Sequence, residues 1–157
     1  MDYSSLIKDI KAGKMAPIYL LHGEEPYYID LLTDAFLTHA MSAAHKEFDM
    51  TVVYGKDTDV HTLAGLIKRF PMISPFHLVV LREAQDMKKL EVLEPLLLNP
   101  VKSTVLVLSH KGKVDGRKKW VKGIGNAGKV MHSEKVKEWD LSKWVMKEAA
   151  IKGLKLD

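Results

Sequence analysis

The chain has 157 residues, 46% of them hydrophobic, with no cysteine and a net charge of +4 from 24 basic against 20 acidic side chains. That length and apolar content suffice for one core of ordinary size plus the start of another unit, while the lack of cysteine excludes disulfides, thiolate nucleophiles and cysteine-bearing zinc sites. No run approaches the ~18 consecutive apolar residues of a membrane span, and Met1 to Ser5 carry neither the basic nor the apolar block of a signal peptide, so a cytoplasmic address is expected.

Taken in order, Ser4 to Ala12 sets Leu6, Ile7 and Ile10 on one helical face and stops at Gly13. Pro17 to His22 is a continuous apolar run, as expected of a parallel strand covered on both faces. A helix follows from Pro26 to Met41, then a strand from Phe48 to Tyr54. Asp59 caps a helix carrying Val60, Leu63, Ala64 and Ile67, which cannot continue through Pro71. His77 to Arg82 reads as a third strand, Met87 to Leu98 as a leucine-rich helix, and Ser103 to Ser109 as a fourth strand. A helix over Arg117 to Asn126 and a short strand over Lys129 to His132 complete the alternation. The expected fold is α/β: three layers, a parallel sheet of about five strands with helices on both faces. Asp140 opens a last helix with Leu141, Trp144, Val145 and Ala149, so residues 1–138 are expected to form one domain and 139–157 the first helix of a further, truncated one.

In such a sheet the first strand-to-helix turn is where phosphate is usually held. Here it reads Gly23-Glu-Glu-Pro-Tyr-Tyr-Ile-Asp30. Against the pattern of glycine, four residues and Gly-Lys-Ser/Thr, Gly23 alone fits. Tyr28 replaces the second glycine, Ile29 the lysine and Asp30 the magnesium-binding hydroxyl. Two glutamates would repel a triphosphate, and Pro26 removes an amide. The third strand ends in Arg82-Glu83 where a nucleotide hydrolase carries an acidic pair, so ATP hydrolysis is not expected. The seven histidines show no metal-ligand spacing and no Gly-x-Ser-x-Gly elbow occurs, so no metal, cofactor or catalytic residue is assigned.

Two other features stand out. Pro71 and Pro75 bracket Met72 and Ile73 in a turn from which apolar side chains should point outward. Lys111 to Lys137 is rich in lysine and arginine, and Lys113, Arg117, Lys118 and Lys119 are candidate DNA contacts. Trp120 among them either stacks on a base or turns into the core.

The run Ile18 to Asp30 resembles the opening strand and degenerate phosphate loop of the delta subunit of the bacterial DNA polymerase III clamp loader. Phe70 to Ala84 resembles the clamp-contacting segment and following strand of that family, and Lys113 to Lys119 and Glu138 to Trp144 repeat features near the end of its first domain. The resemblance implies an AAA+-like fold without working nucleotide binding, and a mechanical role in a five-subunit assembly. Its partners would be the sliding clamp (the beta subunit), sibling loader subunits and, through the assembled complex, primed DNA. The clamp contacts it implies are Met72 and Ile73, where the family commonly has Leu-Phe, together with Pro71, Ser74 and Phe76. The rival readings are a nucleic-acid-binding module using residues 111–122 and a nucleotide-dependent enzyme with an unorthodox phosphate site.

Overall fold

The computed structural model describes residues 3–133. In chain order these form α1 (Tyr3–Lys11), β1 (Ile18–Gly23), α2 (Pro26–His39), α3 (Ala43–Asp49), β2 (Met50–Tyr54), α4 (Val60–Lys68) and β3 (His77–Arg82). Two 3-10 turns (Ala84–Asp86 and Leu90–Leu93) lead into α5 (Glu94–Leu98), then β4 (Thr104–Lys111), α6 (Lys119–Ala127) and β5 (Lys129–Ser133). The expected last helix and the boundary near residue 138 lie outside the described residues.

The five strands make one sheet in the order β2-β3-β4-β1-β5, with every neighbouring pair parallel. Side chains alternate across it with period two. Ile18 and Leu20 of β1 join Val79, Leu81, Leu106 and Leu108 against α4, α5 and α6. Tyr19 and Leu21 join Leu78, Val80, Val105 and Val107 against α1 and α2. The expected three-layer architecture is therefore the observed one.

Three elements differ from the sequence reading. The strand expected from Phe48 begins at Met50, because Ser42 caps a short helix, its hydroxyl accepting from the His45 amide at 3.3 Å, and that helix runs through Asp49. The helix expected over Met87 to Leu98 is broken: Glu83 and Lys89 adopt left-handed backbone (φ 53° and 59°), and only the last five residues are α-helical, with Pro95 at the start where its missing amide costs nothing. Leu90, Leu93 and Leu97 still reach the core, because over so few residues a 3-10 period and an α period bury the same side chains. The helix expected from Arg117 begins at Lys119, since the Asp115 carboxylate accepts from the Arg117 amide at 2.9 Å and holds a turn ahead of it.

The parallel register also brings three histidines together, His22 opposite His110 on one side and His132 on the other. The His22 and His132 rings stack at 4.8 Å, and His22 Nδ1 accepts from the Val114 amide at 3.3 Å, so that nitrogen carries no proton. Burial, then the neighbouring charges of His132, His110 and Lys113, lower the His22 pKa from 6.5 to about 4. The native chain thus refuses a proton that the unfolded chain accepts, and this contribution to stability is full above the unfolded value and lost as pH falls. Thermal midpoints should fall as pH drops from about 6.5 towards about 4. A His22→Asn chain, which keeps an acceptor for Val114 but cannot titrate, should fall less steeply. Equal slopes for the two chains would remove His22 as a cause.

Candidate functional site

A parallel sheet sends the carboxyl ends of all its strands to one edge and the amino ends to the other, and the residues singled out from the sequence divide between the two. At the carboxyl edge, Gly23 ends β1 with φ 140°, and a Cβ there would overlap the Ser133 carbonyl. Its amide donates to the Gly112 carbonyl (3.0 Å) and the next amide, of Glu24, to the Ser133 carbonyl (3.1 Å). Two amides that a phosphate cradle would aim at its ligand are thereby committed to the protein's own backbone. Tyr28 and Ile29 are buried on α2, Ile29 within the core shared with α1.

Asp30 faces the sheet edge and enters an ion-pair network. Lys111, at the end of β4, lies 3.0 Å from both Asp30 and Glu83, and Arg82, at the end of β3, lies 3.6 Å from Asp30 and 3.4 Å from Asp34. Partial burial alone would raise the Glu83 pKa, but the hydrogen bonds from Lys111 and Gln85 outweigh it and hold the carboxyl below its ordinary range. Burial likewise opposes the charge on Lys111, and its bonds to Glu83 and Asp30 outweigh that and raise its pKa. The place where a nucleotide-binding sheet gathers phosphate and metal is occupied here by a cluster of three carboxylates and two cations paired with one another. Lys111 therefore belongs to this cluster and not to a free basic surface. Lys113, Arg117, Lys118 and Lys119 are exposed, with Arg117 paired to Asp115 at 3.1 Å, and Trp120 among them is buried in the core.

At the opposite edge, the segment between α4 and β3 carries the apolar residues bracketed by prolines. Met72 is 71% exposed and Ile73 52%, and Phe70, ahead of them, is 76% exposed. Ser74 is buried, its hydroxyl donating to the Phe76 carbonyl at 2.9 Å, and Phe76 is half-buried against the core that also holds Met50 and Val52. The turn is fixed from below by Asp49, the last residue of α3. Its carboxylate accepts three successive backbone amides, from Met72 (2.5 Å), Ile73 (2.9 Å) and Ser74 (2.6 Å). Loss of solvent would raise the Asp49 pKa, but these three bonds, with the nearby His77, prevail and hold it below the ordinary carboxylate value. Neither Asp49 nor Phe70 was singled out by sequence reasoning. A lone acid before a strand follows no pattern, and Phe70 looks like the end of a helix.

A model of the family described as DNA polymerase III, delta subunit, matches residues 19–134. Among solved structures, the chain is similar to the Bacillus subtilis DNA clamp loader delta protein, with a TM-score of 0.78 and 21% identity over 95% of this chain and 47% of that one. It is also similar to a DNA polymerase III gamma subunit-related protein of Thermotoga maritima, with a TM-score of 0.56 and 16% identity over 90% and 49% of the two chains. At these identities the likeness is one of fold, and the chain spans about half the length of both structures. No curated protein matches it. With the family match extending from β1 to the end of β5, this chain belongs to the DNA polymerase III delta subunit family.

Proposed function

We propose that this chain is the clamp-gripping part of a clamp-loader delta subunit: it binds the sliding clamp through the Met72-Ile73 tip and favours the open ring, without hydrolysing ATP. The observation that carries the reading is an exposed apolar tip on a fixed backbone, at the sheet edge remote from the ion-pair network. Exposed apolar side chains in a defined conformation mark a partner surface, since solvent gives no reason to hold them there. Burying each in a pocket of the clamp contributes about 1.5–3 kcal/mol, enough for two or three side chains to anchor the interface.

Phe70 supplies the aromatic contact that Met-Ile lacks, while Pro71, Ser74 and Phe76 frame the tip, Ser74 and Phe76 by packing inward. Ring opening requires that the tip bind the distorted clamp better than the closed one, because a ligand shifts an equilibrium only by its differential affinity. Nucleotide control then lies in sibling subunits, and primed DNA is met by the assembled cytoplasmic complex. The absence of chemistry in this chain is supported by the commitment of the Gly23 and Glu24 amides and by the pairing of Asp30, Lys111, Arg82 and Glu83 among themselves.

The double substitution Met72→Ala, Ile73→Ala should weaken clamp binding by at least about 100-fold, the loss of two buried side chains, with a thermal midpoint within a few degrees of the unaltered chain. Intact binding, or a collapse of stability, would refute the tip. Phe70→Ala should cost clamp affinity and leave the melting temperature in place, whereas Phe76→Ala should do the reverse, as read by surface plasmon resonance and calorimetry. Titration of the chain with ATP and magnesium should release no binding heat at micromolar concentrations. A saturable isotherm would reinstate the nucleotide-dependent reading.

A further inference from the structure

The tip poses a physical problem of its own. Its side chains make no core, so burial cannot order its backbone, yet an unordered tip would bind weakly: apparent affinity falls in proportion to the fraction of molecules in the competent conformation. We propose that Asp49 is the positioning residue of this interface, an internal anion around which the amides of Met72, Ile73 and Ser74 wrap so that the two apolar side chains are presented outward. The proposal rests on the clamp-gripping reading and adds to it the residue through which the tip is made competent.

Topology places Asp49 there. Met50 pairs with Leu78 in the β2–β3 ladder, so the residue before β2 lies beside the segment entering β3. Asp49 is 1% exposed, in contrast to the tip it holds. Its oxygens divide between the amides, Oδ1 taking Met72 and Oδ2 taking Ile73 and Ser74. Successive amides converging on one anion form a concave nest, here filled from within the protein. The Asp49 side of the tip is itself braced. Arg69, at the end of α4, donates to Thr51 Oγ1 (3.3 Å) and the Phe48 carbonyl (3.5 Å), and lies 3.0 Å from His77 Nε2, which is 2.8 Å from Thr51 Oγ1. His77 thus stands between the Arg69 guanidinium and the buried carboxylate as an electrostatic neighbour of both. The side chains of Met72 and Ile73 are left free because only their backbones are spent on this anchor. Asp49 therefore differs from a core residue in what its loss should disturb: the local order of the tip rather than the packing of the sheet.

The test is Asp49→Asn, which keeps the shape but weakens the acceptors, read by amide hydrogen exchange and clamp affinity. Exchange at Met72, Ile73 and Ser74 should accelerate by at least about tenfold while the amides of β3 and β4 keep their protection, and the clamp dissociation constant should rise by a similar factor. Asp49→Glu, which retains the charge but carries its oxygens a methylene too far, should show the same changes and serves if the first variant does not fold. Unchanged exchange at the three amides, or faster exchange with unchanged affinity, would overturn the positioning role. If Met72→Ala, Ile73→Ala loses binding and Asp49→Asn keeps it, only that role falls. If the tip variant itself binds like the unaltered chain, the clamp reading falls and takes the proposal with it.

Discussion

The structure is governed by the pairing of β1 between β4 and β5 in a parallel ladder. A parallel pair cannot be closed by a tight turn, so each strand must be followed by a crossover that packs on the sheet, and the apolar runs are covered on both faces as a result. Ile18 and Leu20 serve one core and Tyr19 and Leu21 the other. The same ladder separates the two ends of the molecule. Residues at or just after the ends of strands, such as Lys111 and Glu83, collect at one edge, and residues that precede strands, such as Asp49 and Ser74, at the other.

Those edges have taken different courses. At the carboxyl edge a strand, a glycine and a helix follow one another, and the polar groups around them are turned on each other. The ion pairs involved are partly exposed, and such pairs contribute little to stability one by one. Their effect is one of occupancy: Lys111 is engaged by two carboxylates and is not held out to an anion. At the amino edge a buried carboxylate does the opposite work, spending backbone amides so that apolar side chains stay outside.

What could be read from the sequence follows the range of the interactions. The strand of Ile18 to Leu21 was legible because burial on both faces leaves a continuous apolar run, and the helix at Asp59 because its cap is local: the carboxylate accepts from the Thr62 amide three residues on. The departures at Tyr28, Ile29 and Asp30 were also legible, being defined against a fixed local spacing. Helix α3 was missed since its one strong signal, Ser42, precedes seven residues of which Phe48 is exposed and no apolar stripe forms. The segment from Met87 was misread because leucine spacing does not distinguish a 3-10 turn from an α-helix, and the left-handed position 89 carries a lysine in place of the glycine or asparagine that would announce it. Asp49 with Met72, and Asp30 with Lys111, are far apart in the chain, and only the strand register brings them together.

The burial of Ile29 sets what a charged side chain at that position would meet. It occupies the position where a phosphate loop carries its lysine, yet its side chain lies among Tyr19, Leu32 and Phe36. A lysine placed at position 29 would therefore enter apolar packing, where an ammonium group is costly to desolvate, while Asp30 would still be engaged by Lys111 and the loop amides by Gly112 and Ser133. Changing residue 29 alone would thus cost apolar packing without releasing the amides or the carboxylate around it.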